Sequence, residues 1–417
     1  MKCVESGGDF IKILFITSDY SKPNKGENIY TDLAKALNNK HDIKVVATEE
    51  KKNTNKTYLN KENGIDVLRV KIGNLYEVGL IEKGFTILTI GYHLKKGIKK
   101  FFSKEKFDFI LFQSPPLTMA SAVKWAMKKY CAPSYLMMKD IFPQNGVDIG
   151  LYKKNSLIYK YFRLREKKLY KTASKIGCMS MGNIDYLLKH NDFLKKDKLE
   201  LFPNTVNVNN IKKISKEEKE KIRKKYKIKK DDIAAIYGGN FGKPQGLDYL
   251  IDIIDYFKNN NKVKFLLVGK GTEKERIFNV LKDKKYKNVL LFNFLPREDY
   301  EKLSAACDIG LIFLDKRFTI PNFPSKTLSY FACSLPIMAS TDCNTDYKDF
   351  IVNENVGFWA ESKNIKEYTR LFNKLVEDKE LREQMGKNGF KYLKENWNVK
   401  NSVKIIERFM GDKDEYI

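Results

Sequence analysis

Two series of short apolar runs, each alternating with helical patterns, constrain the fold of this 417-residue chain most strongly. In the first series "IKILFIT" (Ile11 to Thr17) is followed by the helical pattern "IYTDLAKALNN" and then by a second apolar run, "DIKVVAT". Short, continuous apolar runs that alternate with amphipathic helices are typical of parallel strands buried on both faces. The series continues with "IDVLRVKI", "FDFILFQS" and "PSYLMMKD". It therefore predicts a doubly wound α/β sheet.

The second series begins after residues 199–210 and a charged helical pattern. Its apolar runs are "AAIYGGN", "VKFLLVG", "VLLFNFL", "IGLIFL", "LPIMAS" and "VGFWA". We predict two Rossmann-like domains, an N-terminal one at 1–205 and a C-terminal one at 206–395, and a C-terminal helix at 396–417 that packs back on the first domain. A cleft between the domains is the expected ligand site, because open α/β sheets bind ligands at the carboxyl ends of their strands.

The chain is strongly basic, with a formal net charge of +26 from 78 Lys and Arg against 52 Asp and Glu. Residues 1–205 hold 37 basic and 21 acidic residues, a net charge of +16, which leaves +10 for the remainder. Such a balance suits an anionic partner such as nucleic acid, anionic lipid or a phosphorylated substrate. The lysines are scattered and no nucleic-acid-binding motif is present, so no nucleic acid partner is expected.

Six cysteines without a Cys-x-x-Cys pair, and only three histidines, favour neither a zinc site nor a disulfide framework. We expect no metal and a cytoplasmic location. The strongest apolar run, Gly84 to Tyr92, is far shorter than the ~20 residues that span a bilayer.

Two stretches, Gly84 to Lys106 and Tyr159 to Lys171, combine apolar and aromatic residues with lysines. They fit peripheral contact with the anionic inner face of the plasma membrane. The alternative is that they are amphipathic core helices whose outer faces are rich in lysine.

The stretch "NFPSKTLSYFACSLPIMAS" (Asn322 to Ser340) places a lysine at the start of a helix. Ser325 is a good N-cap residue, and Lys326 in the first turn opposes the helix dipole at a cost of about 0.3–1 kcal/mol. A bound diphosphate reverses that cost. We therefore predict that Ser325 and Lys326 bind a diphosphate, the alternative being an ordinary surface lysine.

Two glycine-containing turns follow strands of the same half, "GGNFGKPQG" (Gly238 to Gly246) and "LVGKGTE". Their glycines let the backbone approach a ligand, and the helix after the first turn offers N–H groups to an anion. Gly269 and Gly271 of the second turn are predicted to line a nucleotide pocket, or to form a tight connection only.

These residues together resemble the retaining glycosyltransferases of family 4, which have the GT-B fold of two facing Rossmann-like domains. The resemblance rests on Gly26, "DIFPQ" (Asp140 to Gln144), "FPNTVNV", "GGNFGKPQGLDYLI", "LVGKGTE", "FLPREDYEKLSAACDIGLIFL" and "PSKTLSYFACSLPI". It is closest to the branch that builds bacterial surface polysaccharides. It implies transfer of a sugar from a nucleotide-diphosphate donor, UDP-sugar by the habit of the family, to a glycan or polyprenyl-diphosphate-linked glycan, without a metal or another cofactor.

The resemblance also implies roles for single residues. Lys326 would neutralise the departing diphosphate, and Asp140 would orient or deprotonate the acceptor hydroxyl, unless it only caps a helix. The other donor-binding positions are Gly26, Gly239, Asn240, Lys243, Gln245, Gly269, Gly271, Leu295, Ser325 and Ser329.

Three of these positions depart from the pattern of the family. Asn240 and Gln245 stand where many members have Arg and Lys, and Ser329 stands where many have a ribose-binding Glu. Ser329 and Asn240 leave open an inactive scaffold that binds sugar nucleotides. A second alternative is a UDP-sugar epimerase, which also uses two facing Rossmann-like halves but would need further acid and base groups. The pair Asp412 and Asp414 is expected to be solvated.

Overall fold

The strands of residues 10–411, the part of the chain that the computed structural model describes, form two sheets. Each sheet belongs to its own unit. The first unit takes the described part of 1–143, 152–206 and 399–417, and the second takes 144–151 and 207–398. The segment 144–151, which lies inside the predicted domain 1–205, thus packs with the second unit. Asp412 and Asp414 lie outside the described residues.

The first unit contains an eight-stranded sheet in the order β3-β4-β2-β1-β5-β6-β7-β8. Its strands are β1 (Lys12–Thr17), β2 (Asp42–Glu50), β3 (Tyr58–Glu62), β4 (Ile65–Ile72), β5 (Phe109–Ser114), β6 (Ser134–Met138), β7 (Lys175–Cys178) and β8 (Leu199–Leu201). The pair β3 and β4 is antiparallel, and the other pairs are parallel. Asn63 and Gly64 join β3 to β4 with positive φ at both residues, the backbone that a two-residue hairpin prefers.

The helices of the first unit cover both faces of this sheet in the sequence positions that the alternation predicts. They are α1 (Ile29–Asn38), α2 (Leu80–Phe102), α3 (Ala120–Tyr130), α5 (Leu157–Thr172), α6 (Met181–His190) and α15 (Val399–Gly411). Local signals start α1, because the Asn28 side chain accepts hydrogen bonds from the amides of Tyr30 and Thr31 in a capping box. The apolar face of α1 is then buried against β1 and β2.

The second unit contains a six-stranded parallel sheet in the order β11-β10-β9-β12-β13-β14. Its strands are β9 (Ile233–Asn240), β10 (Val263–Lys270), β11 (Val289–Phe292), β12 (Ile309–Phe313), β13 (Ile337–Thr341) and β14 (Gly357–Glu361). Its helices are α4 (Gln144–Asp148), α7 (Lys216–Lys225), α8 (Asp248–Tyr256), α9 (Lys274–Asp283), α10 (Arg297–Ala306), α11 (Lys326–Ala332), α12 (Tyr347–Asn353), α13 (Ile365–Glu377) and α14 (Lys379–Asn396). All six strands correspond to apolar runs of the sequence. The predicted fold class, two Rossmann-like doubly wound domains, is confirmed.

The last helix, α15, belongs to the first unit. Residues 397 and 398 separate α14 from α15. The amide of Val399 then donates to the carbonyl of Val206 at 2.9 Å. The ring of Phe409 then packs 5.8 Å from Phe109 and 5.5 Å from Tyr135 in the core of the first sheet. The C-terminal helix therefore completes the core of the first unit.

None of the helices between residues 10 and 411 has both the length and the apolar character needed to cross a membrane.

Candidate functional site

Lys326 begins α11, and its side chain lies beside Gly239 at the carboxyl end of β9. Its Nζ is 4.3 Å from the centre of the Tyr300 ring, and a Cβ at Gly239 would lie 3.5 Å from its Cε. The side chain is half-buried. Burial, and secondarily the positive charge of Arg297, lower the pKa of Lys326 to about 8. Burial disfavours the charged form of this lysine, so an anion that binds next to it would stabilise the ammonium.

Ser325 precedes α11 but does not cap it, so this expectation was wrong. Its backbone is helical, with φ −66° and ψ −20°, and its side chain makes no cap hydrogen bond. An N-cap side chain reaches the helix amides from an extended backbone. Instead, the amides of Thr327 and Leu328 donate to the carbonyls of Pro324 and Ser325 at 3.3 Å. The Ser325 side chain is exposed, in the residue next to Lys326.

The first glycine-rich turn places Gly239 beside Lys326 and closes on itself through polar side chains. Gln245 Oε1 accepts from the Gly242 amide at 3.3 Å and from Asn240 Nδ2 at 3.5 Å. Lys243 is exposed in a short 3₁₀ turn, Lys243–Gln245. Asn240 and Gln245, which replace the basic residues of many family members, thus help to hold the shape of the loop.

Gly269 and Gly271 lie against this loop. A Cβ at Gly269 would come within 1.9 Å of the Gly239 carbonyl oxygen, and one at Gly271 within 2.3 Å of the Phe241 carbonyl oxygen. Both glycines have φ near +154°. Packing between the two loops alone accounts for glycine at both positions, which favours the tight-connection alternative.

Two tyrosines that the sequence analysis did not single out build the floor of this region. The Tyr330 hydroxyl accepts from the Gly238 amide at 3.2 Å and donates to the Ile236 carbonyl at 3.1 Å. The Tyr300 ring lies beneath the Lys326 ammonium, and a Cβ at Gly238 would lie 2.0 Å from its hydroxyl oxygen. No local sequence pattern predicts these contacts, because each tyrosine contacts residues that are far away in sequence.

The remaining predicted donor-binding residues of the second unit are Ser329 and Leu295. Ser329 is half-buried on α11, one residue before Tyr330. Leu295 is half-buried in the loop between β11 and α10, next to Phe294, whose ring is 5.6 Å from Lys270 Nζ. Neither position shows a contact that defines a role in binding.

In the first unit, Gly26 ends a short 3₁₀ turn after β1 with φ +78°, a left-handed backbone that favours glycine. The neighbouring Glu27 forms an ion pair with Lys35 of α1. Gly26 is therefore explained by the turn itself, and a role in donor binding stays a prediction.

Asp140 and Lys139 follow β6. The Asp140 side chain is reached by solvent, yet the protein around it raises its pKa to about 6, an effect that the Lys139 charge opposes. Burial lowers the pKa of Lys139 to about 7, and its Nζ lies 5.3 Å from the Phe202 ring. The carboxyl lies four residues before α4, and in the described residues it caps no helix. The pair holds an acid and a base whose pKa values approach neutrality.

Across residues 10–411, no three His, Cys, Asp or Glu side chains come together in a way that could hold a metal ion.

Residues 218–392 match the family model described as glycosyl transferases group 1. This segment is similar to the glycosyl transferases of group 1. It contains Lys326, the glycine-rich turns and both tyrosines. The resemblance to glycosyltransferases is thereby confirmed.

Two curated relatives extend the similarity beyond residues 218–392. An uncharacterised glycosyltransferase of Methanocaldococcus jannaschii is 26% identical over 264 residues, 62% of this chain and 64% of the relative. The probable glycosyltransferase WbjE of Pseudomonas aeruginosa is 23% identical over 271 residues, 64% of each chain. The matched part thus covers about 64% of the length of either relative.

Among solved structures, Anabaena HepE in complex with UDP and glucose has a TM-score of 0.71 to this chain. The identity is 15%, and the match covers 96% of this chain and all of that one. At this identity the likeness shows the fold alone, which is that of the GT-B glycosyltransferases.

Proposed function

We propose that this protein is a retaining glycosyltransferase that transfers a sugar from a UDP-sugar to a hydroxyl of a glycan or polyprenyl-diphosphate-linked glycan. The observation that carries the proposal is Lys326, a half-buried ammonium inside the segment that matches the group 1 family model, with a pKa lowered to about 8. The UDP and glucose named for HepE, a protein of the same fold, support the donor class.

The reaction develops negative charge on the leaving group, and Lys326 and Ser325 of the second unit would stabilise that charge. The bond between the anomeric carbon and the β-phosphate oxygen breaks, and negative charge develops on the diphosphate. The Lys326 ammonium would pair with that charge, and the Ser325 hydroxyl would donate to it, so that both bind the transition state more strongly than the intact donor. No divalent ion is then needed to neutralise the leaving group.

The acceptor oxygen forms the new bond on the face that the diphosphate leaves, which retains the anomeric configuration. Its proton passes to the departing phosphate oxygen or to the Asp140 carboxylate. A carboxyl with a pKa of about 6 is mostly ionised at neutral pH and remains basic enough to accept a proton.

The acceptor class rests on the resemblance of "DIFPQ" to the surface-polysaccharide branch. Peripheral contact with the inner face of the plasma membrane belongs to the same proposal, because α2 exposes Ile81, Phe85, Leu88 and Tyr92 among lysines. Ser329 and Asn240 favour one competing function, an inactive scaffold that binds the nucleotide without turnover.

A nucleotide panel separates these functions. UDP, GDP and ADP are tested by thermal shift with EDTA present, followed by an assay for UDP release from UDP-glucose and UDP-N-acetylglucosamine in the presence of glycan acceptors. Stabilisation by UDP with release of UDP supports the transferase, and stabilisation without release supports the scaffold. The absence of stabilisation by all three nucleotides contradicts both.

A further inference from the structure

A cavity of about 590 Å³ opens between α3 and α5 of the first unit, and its lining contains none of the residues predicted to bind the donor. Its cationic lining residues are Lys124 and Lys128 of α3 and Arg165, Lys168 and Lys171 of α5. The two helices pack against each other and against the 3₁₀ turn Leu117–Met119. The walls are therefore formed by regular, packed elements.

Five of the lining residues are cationic and none is acidic. Within residues 10–411, none of these five side chains takes part in an ion pair. Arg165 Nε donates to the Tyr161 hydroxyl at 3.0 Å, and Lys171 Nζ lies 4.9 Å from the Phe193 ring. The acid of α5, Glu166, is buried and paired with Arg163 and Tyr170. Like charges gathered around one concave surface repel each other, and an anion in the cavity relieves that repulsion.

The cavity combines this charge with apolar groups. Leu117, Ala120 and Met127 contribute the apolar part of its lining. A ligand that presents a phosphate to the cationic residues and carbon atoms to the apolar residues would match both parts of the lining. A free inorganic anion would match only the cationic part.

An exposed apolar surface lies on α2, a helix that contacts one of the residues lining the cavity. Ile81, Phe85, Leu88 and Tyr92 recur every three or four residues along α2, so they share one face, and Ile81 is 91% exposed. The same helix touches the cavity lining, since Thr118 Oγ1 donates to the Ile87 carbonyl at 2.5 Å. On α5, Leu157 is 84% exposed and Leu164 precedes Arg165. Apolar side chains next to a cationic cavity match the boundary between acyl chains and headgroups.

We propose that this cavity binds the phosphate headgroup of an anionic phospholipid while the exposed side chains of α2 and α5 enter the acyl boundary. The proposal deepens the membrane contact of the proposed function, because it assigns that contact to one cavity. Its ligand is separate from the nucleotide that Lys326 would bind.

The test uses the full chain and vesicles of phosphatidylcholine with or without about 30% of the anionic lipid phosphatidylglycerol, which gives the vesicle a negative surface potential. The variant Lys124→Gln with Lys168→Gln removes one cation from each wall. The matched control, Lys189→Gln with Lys195→Gln, removes the same charge from exposed positions of the first unit outside the cavity. At ~1 kcal/mol per basic residue, the cavity variant should bind anionic vesicles about thirtyfold more weakly than the wild type. The control should change binding less than about threefold.

Equal losses in both variants, or no binding of the wild type to anionic vesicles at low salt, would overturn the proposal. Inorganic pyrophosphate distinguishes the source of the phosphate. If it stabilises the wild type but not the cavity variant, and vesicles do not bind, the site takes a soluble anion and the lipid assignment is wrong. Thermal melts with UDP on all three proteins separate this result from the proposed function, because the cavity variant should keep its response to UDP.

Discussion

Replacing Lys326 with Met should make the free protein more stable and its complex with UDP weaker. The pKa of Lys326 falls from 10.5 to about 8 because burial disfavours the charged form. At 1.36 kcal/mol per pKa unit, this fall corresponds to at most about 3 kcal/mol of destabilisation while the ammonium is charged. Lys326→Met removes that cost and keeps most of the side-chain volume.

The stability advantage of Lys326→Met depends on pH, because the folded and unfolded states of the wild type bind different numbers of protons. The folded protein has the lower pKa for this group, so between about pH 8 and 10.5 the unfolded chain binds more protons and stability rises with pH. The advantage of Lys326→Met should therefore be largest below pH 8 and should vanish above pH 10.5. Thermal melts at pH 7 and at higher pH measure this difference.

With UDP, the order reverses. A hydrogen bond from a charged donor contributes about 1.5–3 kcal/mol, so Lys326→Met should weaken UDP binding about 10- to 150-fold at pH 7. Wild-type affinity should fall as the pH rises through about 8, where the free ammonium loses its proton, and the variant should show no such fall. Isothermal titration calorimetry with EDTA present, at pH 7, 8 and 9, provides both numbers.

The matched control is Lys374→Met on α13. Lys374 also lies near an aromatic ring, 5.9 Å from the centre of Phe358, but it is exposed. It should change neither stability nor UDP affinity appreciably. If Lys326→Met bound UDP as tightly as the wild type with the same pH dependence, the electrostatic reasoning would be refuted. A loss of stability at pH 7 would contradict the burial argument separately.

Three further changes test other parts of the molecule. Asp140→Asn should remove the rise of the transfer rate through about pH 6 and lower the rate about 10²- to 10⁴-fold at pH 7, as a rate assay would show, while leaving UDP affinity unchanged. Arg69→Met breaks a fully buried ion pair and should cost about 3–5 kcal/mol in a denaturant melt, whereas Lys379→Met, in an exposed pair at 3.8 Å, should cost less than about 1 kcal/mol. Gly269→Ala should destabilise the protein by about 2 kcal/mol or more, because its Cβ would meet a backbone oxygen at 1.9 Å. Gly84→Ala, in open space on α2, should stabilise the protein by about 0.5–1 kcal/mol. Equal effects of the two variants in denaturant melts would contradict the packing argument.

The strand and helix order was accessible from the sequence because parallel strands buried on both faces leave continuous apolar runs. All six strands of the second unit were predicted in this way. The hairpin strand β3 was missed, since its pattern is mostly polar and exposed, although Asn63 and Gly64 marked the turn. The segment 144–151 was assigned to the wrong unit, because its eight residues contain no signal for the partner that they contact.

The sequence by itself determined the doubly wound fold, the position of Lys326 at a helix start and the places of the glycine turns. Only the tertiary structure decided the environment of each charge. The Tyr300 ring beneath Lys326, the shifted pKa values of Lys139 and Asp140, and the five cations around one cavity all depend on residues far apart in the chain. Periodicity reports which side of an element is buried, whereas desolvation and charge pairing depend on which elements the fold brings together.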